Sequence, residues 1–334
     1  MSFFTSLRQG GLSGFVSLAA LLTVVNSTAA QELKKVRIAI PAITTTATSH
    51  FVAKEMKYWQ EEGLDVELVL MRAATSVTAV VSKNVDFTTL GGGALLGILR
   101  GLPLRLVFAT FNRPHYAIYA RPEIRSLQDL KGKKVGVSSL GSGPDSLLQE
   151  LLNKRLSGGV KDVTILAVGS GGERVMAFKR GFVDAAILTP MDQILVEEAG
   201  FRELFSFIKE GGYVDLPNSL IAQEEMIKTN PVLVEKVVRG NLKGLLYFRE
   251  NRTGTSKILS RVLHINEPDA GRFYDAIRPS ATEDGTATEE EQRGSIAYLL
   301  DRAGLKKMPA LDTVYDFSFA RKAARDLRSL GWKP

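Results

Sequence analysis

Val85-Asp86-Phe87-Thr88-Thr89-Leu90 returns as Val183-Asp184-Ala185-Ala186-Ile187-Leu188, 98 residues further along the chain. Each copy is a short apolar run of strand type introduced by Val-Asp. A second pair sits at nearly the same spacing: Lys34-Lys35-Val36-Arg37-Ile38-Ala39-Ile40 and Lys133-Lys134-Val135-Gly136-Val137-Ser138-Ser139, 99 residues apart. Two matches at almost one spacing imply a duplicated αβ unit. Outward from these runs, residues 64–71 alternate polar and apolar as another strand. Helical spacing over residues 50–62 brings Phe51, Met56 and Trp59 to one face before Gly63 stops it, and residues 75–82 read as a second helix. The order β-α-β-α-β predicts a parallel sheet with crossover helices. The second copy repeats it, with strands at 134–138, 163–168 and 183–188 and helices at 147–156 and 173–180.

Extended runs at 105–110 and 116–120 flank Asn112-Arg113-Pro114-His115, which is where the chain is expected to cross from one half to the other. The return is expected at 213–218, where Gly211-Gly212 and Pro217 interrupt the pattern. Beyond Leu220-Ile221-Ala222 only helices are predicted, near 231–250, 253–263, 268–277, 287–303 and 317–330, packed back on the first half. Asn230-Pro231 is a good start for the first of them, because proline suits the first helical position. The stripe Val234, Val237, Val238, Leu242, Leu245 and Leu246 reads as core.

Composition narrows the function classes. Residues 1–30 read as a secretory signal peptide: Arg8 precedes the apolar run 12–25, and Thr28-Ala29-Ala30 supplies small residues for cleavage near Ala30. The run is shorter than the roughly 20 residues that span a bilayer, so the expected location is the periplasm, with the remaining chain freely soluble and monomeric. The chain has no cysteine, which excludes disulfides, a lipidated cysteine, thiolate metal sites and a cysteine nucleophile. The net charge of +7 is scattered among acidic residues, as at Arg321, Lys322, Asp326 and Arg328. It does not form the basic, aromatic-interleaved stripe of a nucleic-acid binder.

In open parallel sheets ligands bind beyond the carboxyl ends of the strands. Four loops of that kind recur in the repeat, at 44–50, 90–93, 138–145 and 188–191, and all are rich in hydroxyls and glycines. Backbone N–H groups at the helix starts they feed suit an anionic group. Signs of catalysis are weaker. His50, His115 and His264 show no metal-ligand spacing. Gly141-Ser142-Gly143-Pro144-Asp145-Ser146 lacks the third glycine of a dinucleotide fingerprint, and Ser142 lacks the glycine frame of a nucleophile elbow. No enzyme activity, cofactor or metal is expected.

Five stretches carry a family resemblance: residues 38–41, Tyr58-Trp59-Gln60-Glu61-Glu62-Gly63-Leu64-Asp65-Val66, Val85-Asp86-Phe87, Gly101-Leu102-Pro103-Leu104 and Ser126-Leu127-Gln128-Asp129-Leu130-Lys131-Gly132-Lys133-Lys134-Val135-Gly136-Val137. Over about residues 34–250 the chain resembles type II periplasmic substrate-binding proteins of ABC importers. It is similar to the branch that includes aliphatic-sulfonate, taurine, nitrate and thiamine-pyrimidine-precursor binders. The resemblance implies an α/β fold of two lobes, each a mainly parallel sheet flanked by helices, joined by a two-strand hinge. Lobe 1 would comprise residues 31–111 and 218–334, and lobe 2 residues 112–217. It implies capture of a small organic ligand, a sulfonate, carboxylate or pyrimidine-like compound, by hinge closure, and delivery to an ABC permease and its ATPase. Ligand contacts would fall on Thr45, Thr46, His50, Leu90, Gly91, Gly92, Ser139, Gly141, Ser142 and Pro190. No basic residue lies in these loops, and Arg113 and His115 at the crossing are the nearest. Two alternatives share the scaffold: an enzyme like the thiamine pyrimidine-precursor synthases, whose cysteine-rich motif is absent, and a periplasmic ligand-sensing subunit.

Overall fold

The computed structural model describes residues 32–334 except Ala42, Arg72, Leu90, Gly91, Gly141, Gly211 and Tyr298. The expected signal peptide lies outside the described residues. Among the described residues the strands in chain order are β1 (Lys34–Ile40), β2 (Leu64–Leu70), β3 (Phe87–Thr88), β4 (Leu104–Phe108) and β5 (Ala117–Ala120). They continue as β6 (Lys134–Val137), β7 (Thr164–Ala167), β8 (Ala185–Leu188), β9 (Arg202–Ser206) and β10 (Leu220–Gln223). They form two five-stranded sheets, ordered β2-β1-β3-β10-β4 and β7-β6-β8-β5-β9.

The two orders are the same order. β1 runs parallel to β2 and β3, as β6 does to β7 and β8. The fourth position of each sheet holds one antiparallel strand, β10 in the first and β5 in the second. Each of these is the first strand the chain makes after coming over from the other sheet, so it enters from the opposite end. The expected mainly parallel sheets are therefore present, each with one inverted strand.

The duplication extends to single hydrogen bonds. Asp86 Oδ2 accepts the Arg37 N–H at 2.7 Å while its own N–H donates to the Arg37 carbonyl. Asp184 does the same to Lys134, at 2.9 Å. Arg37 thus corresponds to Lys134, a spacing of 97, and the Lys-Lys match at 99 was displaced by two residues. A two-residue slip leaves every strand side chain on its proper face, because the pleat repeats every two residues. That is why the wrong alignment still read correctly.

Some helices depart from expectation. The segment read as one helix over 50–62 is two, Thr48–Glu55 and Tyr58–Glu61. Lys57 between them takes a left-handed conformation, φ 61°, and turns Trp59 into the core, where its Nε1 donates to the Val237 carbonyl at 3.0 Å. Helices Gly92–Leu99 and Pro190–Glu197, equivalent in the repeat, were read only as turns because they begin on Gly-Gly and on proline. Strand β9 was not foreseen either. Helix Pro231–Glu250 starts as expected, with Asn230 capping the Leu233 N–H and Pro231 in the first turn. Its buried stripe of Val234, Val237, Val238, Leu242 and Leu245 joins Val36, Ile38 and Phe87 in the main core of the first sheet. The region read as one helix over 287–303 is Glu289–Ala297 followed by Leu300–Ala303.

Candidate functional site

The chain passes between the sheets twice, through residues 109–116 and 212–219, and the loops at the carboxyl ends of β1 and β8 converge on those two crossings. Together they enclose a cavity of about 190 Å³. Thr44, Thr45 and Thr46 form its first-sheet wall, and Thr189, Pro190 and Met191 its second-sheet wall. His115, Tyr116, Asp215 and Pro217 of the crossings close it. Wider hollows, such as the one of about 260 Å³ lined by Lys34, Lys83, Gln223 and Asn230, lie wholly on the first sheet and its helices.

Of the residues named from sequence, Thr45, Thr46 and Pro190 line this cavity. The others are placed elsewhere or are not described. Ser142 caps helix Gly143–Arg155, its hydroxyl donating to the Ser139 carbonyl at 2.6 Å. Ser139 itself is exposed. Gly92 opens helix Gly92–Leu99. Leu90, Gly91 and Gly141 lie outside the described residues. His50 is fully buried within helix Thr48–Glu55, its ring centroid 6.3 Å from that of Trp59, and does not line the cavity. Its Nδ1 lies 3.3 Å from the Ser49 hydroxyl.

Sequence reading missed the carboxylate. Asp215 lines the cavity, accepts the Leu216 N–H, and has no side-chain partner among the described residues. Burial pushes its pKa up to about 6, opposed by that backbone hydrogen bond. The neighbouring Tyr116 hydroxyl is pushed up to about 12, first by burial and then by the Asp215 charge. The signal was available in outline: both residues flank interruptions read as crossings, and two crossings of one hinge must lie side by side.

Arg174 is the buried cation nearby, 4% exposed. Its Nε donates to the Ile187 carbonyl at 2.9 Å and its Nη1 to the Gly169 carbonyl at 2.7 Å, while Nη2 faces Asp192 Oδ2 at 3.8 Å. Asp192 also accepts the Thr189 hydroxyl at 2.7 Å and the Thr189 N–H at 3.2 Å, closing a capping box at the start of helix Pro190–Glu197. This charge pair is a structural fixture of the second-sheet wall.

Further contacts tie the halves together. Thr46 accepts a hydrogen bond from Asn218 Nδ2, so the first-sheet wall is fastened to the return crossing. Arg272 of helix Glu267–Ile277 reaches Glu197 of helix Pro190–Glu197 at 2.6 Å, and Tyr119 donates to the same carboxylate. The C-terminal helices therefore touch the second half as well as the first. The Arg272–Glu197 pair is 44% and 40% exposed, and pairs of that kind contribute about 0–1 kcal/mol.

Two imidazoles make the fold acid-sensitive. Burial lowers the pKa of His50 and of His115 from 6.5 to about 3. The unfolded chain thus binds these protons more readily than the folded one, and stability rises with pH wherever that holds. Stability is expected to fall as pH drops below about 6.5 and to go on falling towards about 3. A melting-temperature profile checks this: His50→Gln should flatten the acid limb, and an unchanged slope would contradict it.

Among the described residues no group of three or more His, Cys, Asp or Glu side chains is placed to hold a metal ion. No helix among them is long and apolar enough to cross a membrane.

Comparison with known proteins adds the following. A family model described as NMT1/THI5 like matches residues 44–253. The riboflavin-binding protein RibY of Chloroflexus aurantiacus is 28% identical over 206 residues, which is 59% of this chain and 57% of that protein; the match thus spans little more than half of that relative. The periplasmic aliphatic sulphonate-binding protein SsuA of Escherichia coli superposes with a TM-score of 0.68 at 17% identity, over 84% of this chain and 91% of its own. The periplasmic nitrate-binding protein NrtA of Synechocystis PCC 6803 gives 0.67 at 15% identity, over 89% of each chain. The fold is thus the two-lobed α/β fold of these proteins.

Proposed function

Because the chain belongs to the NMT1/THI5-like family, we propose that it is the solute-binding component of an ABC import system. It works in the periplasm after loss of a leader ending near Ala30, and it has no catalytic role. Lobe 1 (residues 31–111 and 218–334) and lobe 2 (112–217) close about the two crossings on a small organic molecule, and the closed form delivers it to a membrane permease driven by its ATPase.

One observation carries this reading: one cavity takes its walls from strand-end loops of both sheets, after β1 in the first and after β8 in the second, and its floor from both crossings. A ligand touching both walls at once gains contacts only in the closed form. It therefore shifts an open–closed equilibrium by its differential affinity for the two states. The names of RibY, SsuA and NrtA, all binding proteins, support the same reading.

Native mass spectrometry of gently purified protein should reveal a retained small molecule, and its saturation should reduce the radius of gyration measured by X-ray scattering. Thr46→Trp places an indole in the cavity and is expected to weaken binding of that molecule at least about 100-fold, about 2.8 kcal/mol, while the apo protein stays folded. Unimpaired binding by that variant, or turnover of the retained molecule, would sink the proposal.

A further inference from the structure

We propose that the cleft selects a cationic, N–H-bearing ligand group, an amine or amidinium, seated between the Asp215 carboxylate and Nδ1 of His115, and that it turns anions away. This rests on reading the cleft as the capture site.

Two polar groups of the cavity, the Asp215 carboxylate and His115 Nδ1, are acceptors without a side-chain donor among the described residues. Among the described residues, Asp215 has only the Leu216 N–H to satisfy it. His115, 3% exposed, contacts the Ser280 hydroxyl through Nε2 at 2.6 Å. That hydroxyl has one proton, and it is donated to the Ile277 carbonyl at 2.7 Å. Ser280 Oγ must therefore accept, so the His115 proton sits on Nε2 and Nδ1 carries a bare lone pair. Nδ1 is buried and has no partner among the described residues. A buried acceptor left unpaired is costly, and a ligand that donates to it recovers that cost.

The features that would hold an anion are already engaged. Arg174 gives Nε and Nη1 to backbone carbonyls and faces Asp192 with Nη2. The start of helix Pro190–Glu197, a natural anion site by its dipole, carries proline in its first turn and the Asp192 carboxylate at its third position. Arg174 and Asp192 cancel, and Asp215 leaves the cleft one negative charge. An incoming anion would meet that charge and the His115 lone pair in a partly desolvated space, where repulsion is poorly screened.

Isothermal titration with benzamidinium, its uncharged analogue benzamide and the anion benzenesulfonate tests this. At pH about 7.5, where Asp215 is ionised, benzamidinium should bind at least about tenfold more tightly than either analogue. Asp215→Asn, nearly isosteric, should weaken it about tenfold or more. Lowering the pH to about 5 should weaken it in the native protein and not in the variant. His115, Tyr116 and Tyr315 stay uncharged over that range, and the Asp192 carboxylate is engaged by Thr189 and Arg174, so the change reports Asp215. Benzenesulfonate binding that outcompetes benzamidinium and is lost in Thr46→Trp overturns the charge assignment while leaving solute capture intact. So does benzamidinium affinity unchanged by Asp215→Asn. Benzamidinium binding that survives Thr46→Trp lies outside the cleft and overturns both readings, and no benzamidinium binding at millimolar concentration overturns the charge assignment.

Discussion

Arg174→Met is expected to lower the unfolding free energy by about 3–5 kcal/mol, the usual cost of removing one partner from a buried charge pair. Methionine keeps the length of the side chain and fills the space, so the loss isolates the polar contacts. Without the guanidinium, the buried Ile187 carbonyl and the part-buried Gly169 carbonyl lose this donor, and a buried acceptor left unsatisfied costs about 1–3 kcal/mol. The Asp192 carboxylate, part-buried, loses its counter-charge but keeps the Thr189 N–H and hydroxyl. The double variant Arg174→Met/Asp192→Asn should therefore recover part of the stability, because it removes the stranded charge as well. Urea denaturation midpoints measure both. A single-variant loss under about 1 kcal/mol would mean that Arg174 behaves as a surface residue and that the second-sheet wall does not depend on it.

Gly244→Ala is expected to destabilise by about 2 kcal/mol, even though alanine suits a helix better than glycine by about 1 kcal/mol. A Cβ at this position would lie 2.3 Å from the Ser49 carbonyl oxygen and 2.9 Å from the Ala53 Cβ and nitrogen. These atoms belong to the backbone and first carbon of the facing helix Thr48–Glu55, so no side-chain rotation relieves the clash. The two helices must separate, which loosens Val52, Ala53 and Leu245 at the centre of the first core. Overpacking of this sort costs up to about 3 kcal/mol, and it outweighs the propensity gain. Gly143→Ala is the control: nothing lies within 4 Å of its Cβ, so it should be neutral or slightly stabilising. Equal urea midpoints for the two variants would show that the helix contact at Gly244 is looser than described.

Much of the fold was legible because its signals are local. The Val-Asp runs at 85 and 183 kept their register in the folded repeat, and the Asn230-Pro231 helix start and the apolar stripe that follows it behaved as read. Helices Gly92–Leu99 and Pro190–Glu197 were not legible. Their opening residues are those of turns, and what makes them helical is the apolar face they bury, with Ala94 and Leu95 in one and Ile194 and Val196 in the other. The candidate site was half legible. The threonine-rich loop and Pro190 stand in the cavity wall, while His50 lies in the core beside Trp59.

The amino-acid sequence by itself determined the repeat, the order of strands and helices, and the small polar character of the loops at the strand ends. Periods of two and 3.6 residues are imposed by each residue's own neighbours, so they can be read along the line. The folded arrangement alone decided that Asp215 and His115, a hundred residues apart, line one cavity, that Arg174 is spent on backbone carbonyls, and that the start of helix Pro190–Glu197 is filled by its own Asp192. Those outcomes depend on which surfaces bury one another, and a carboxylate in the chain carries no local mark of the company it will keep.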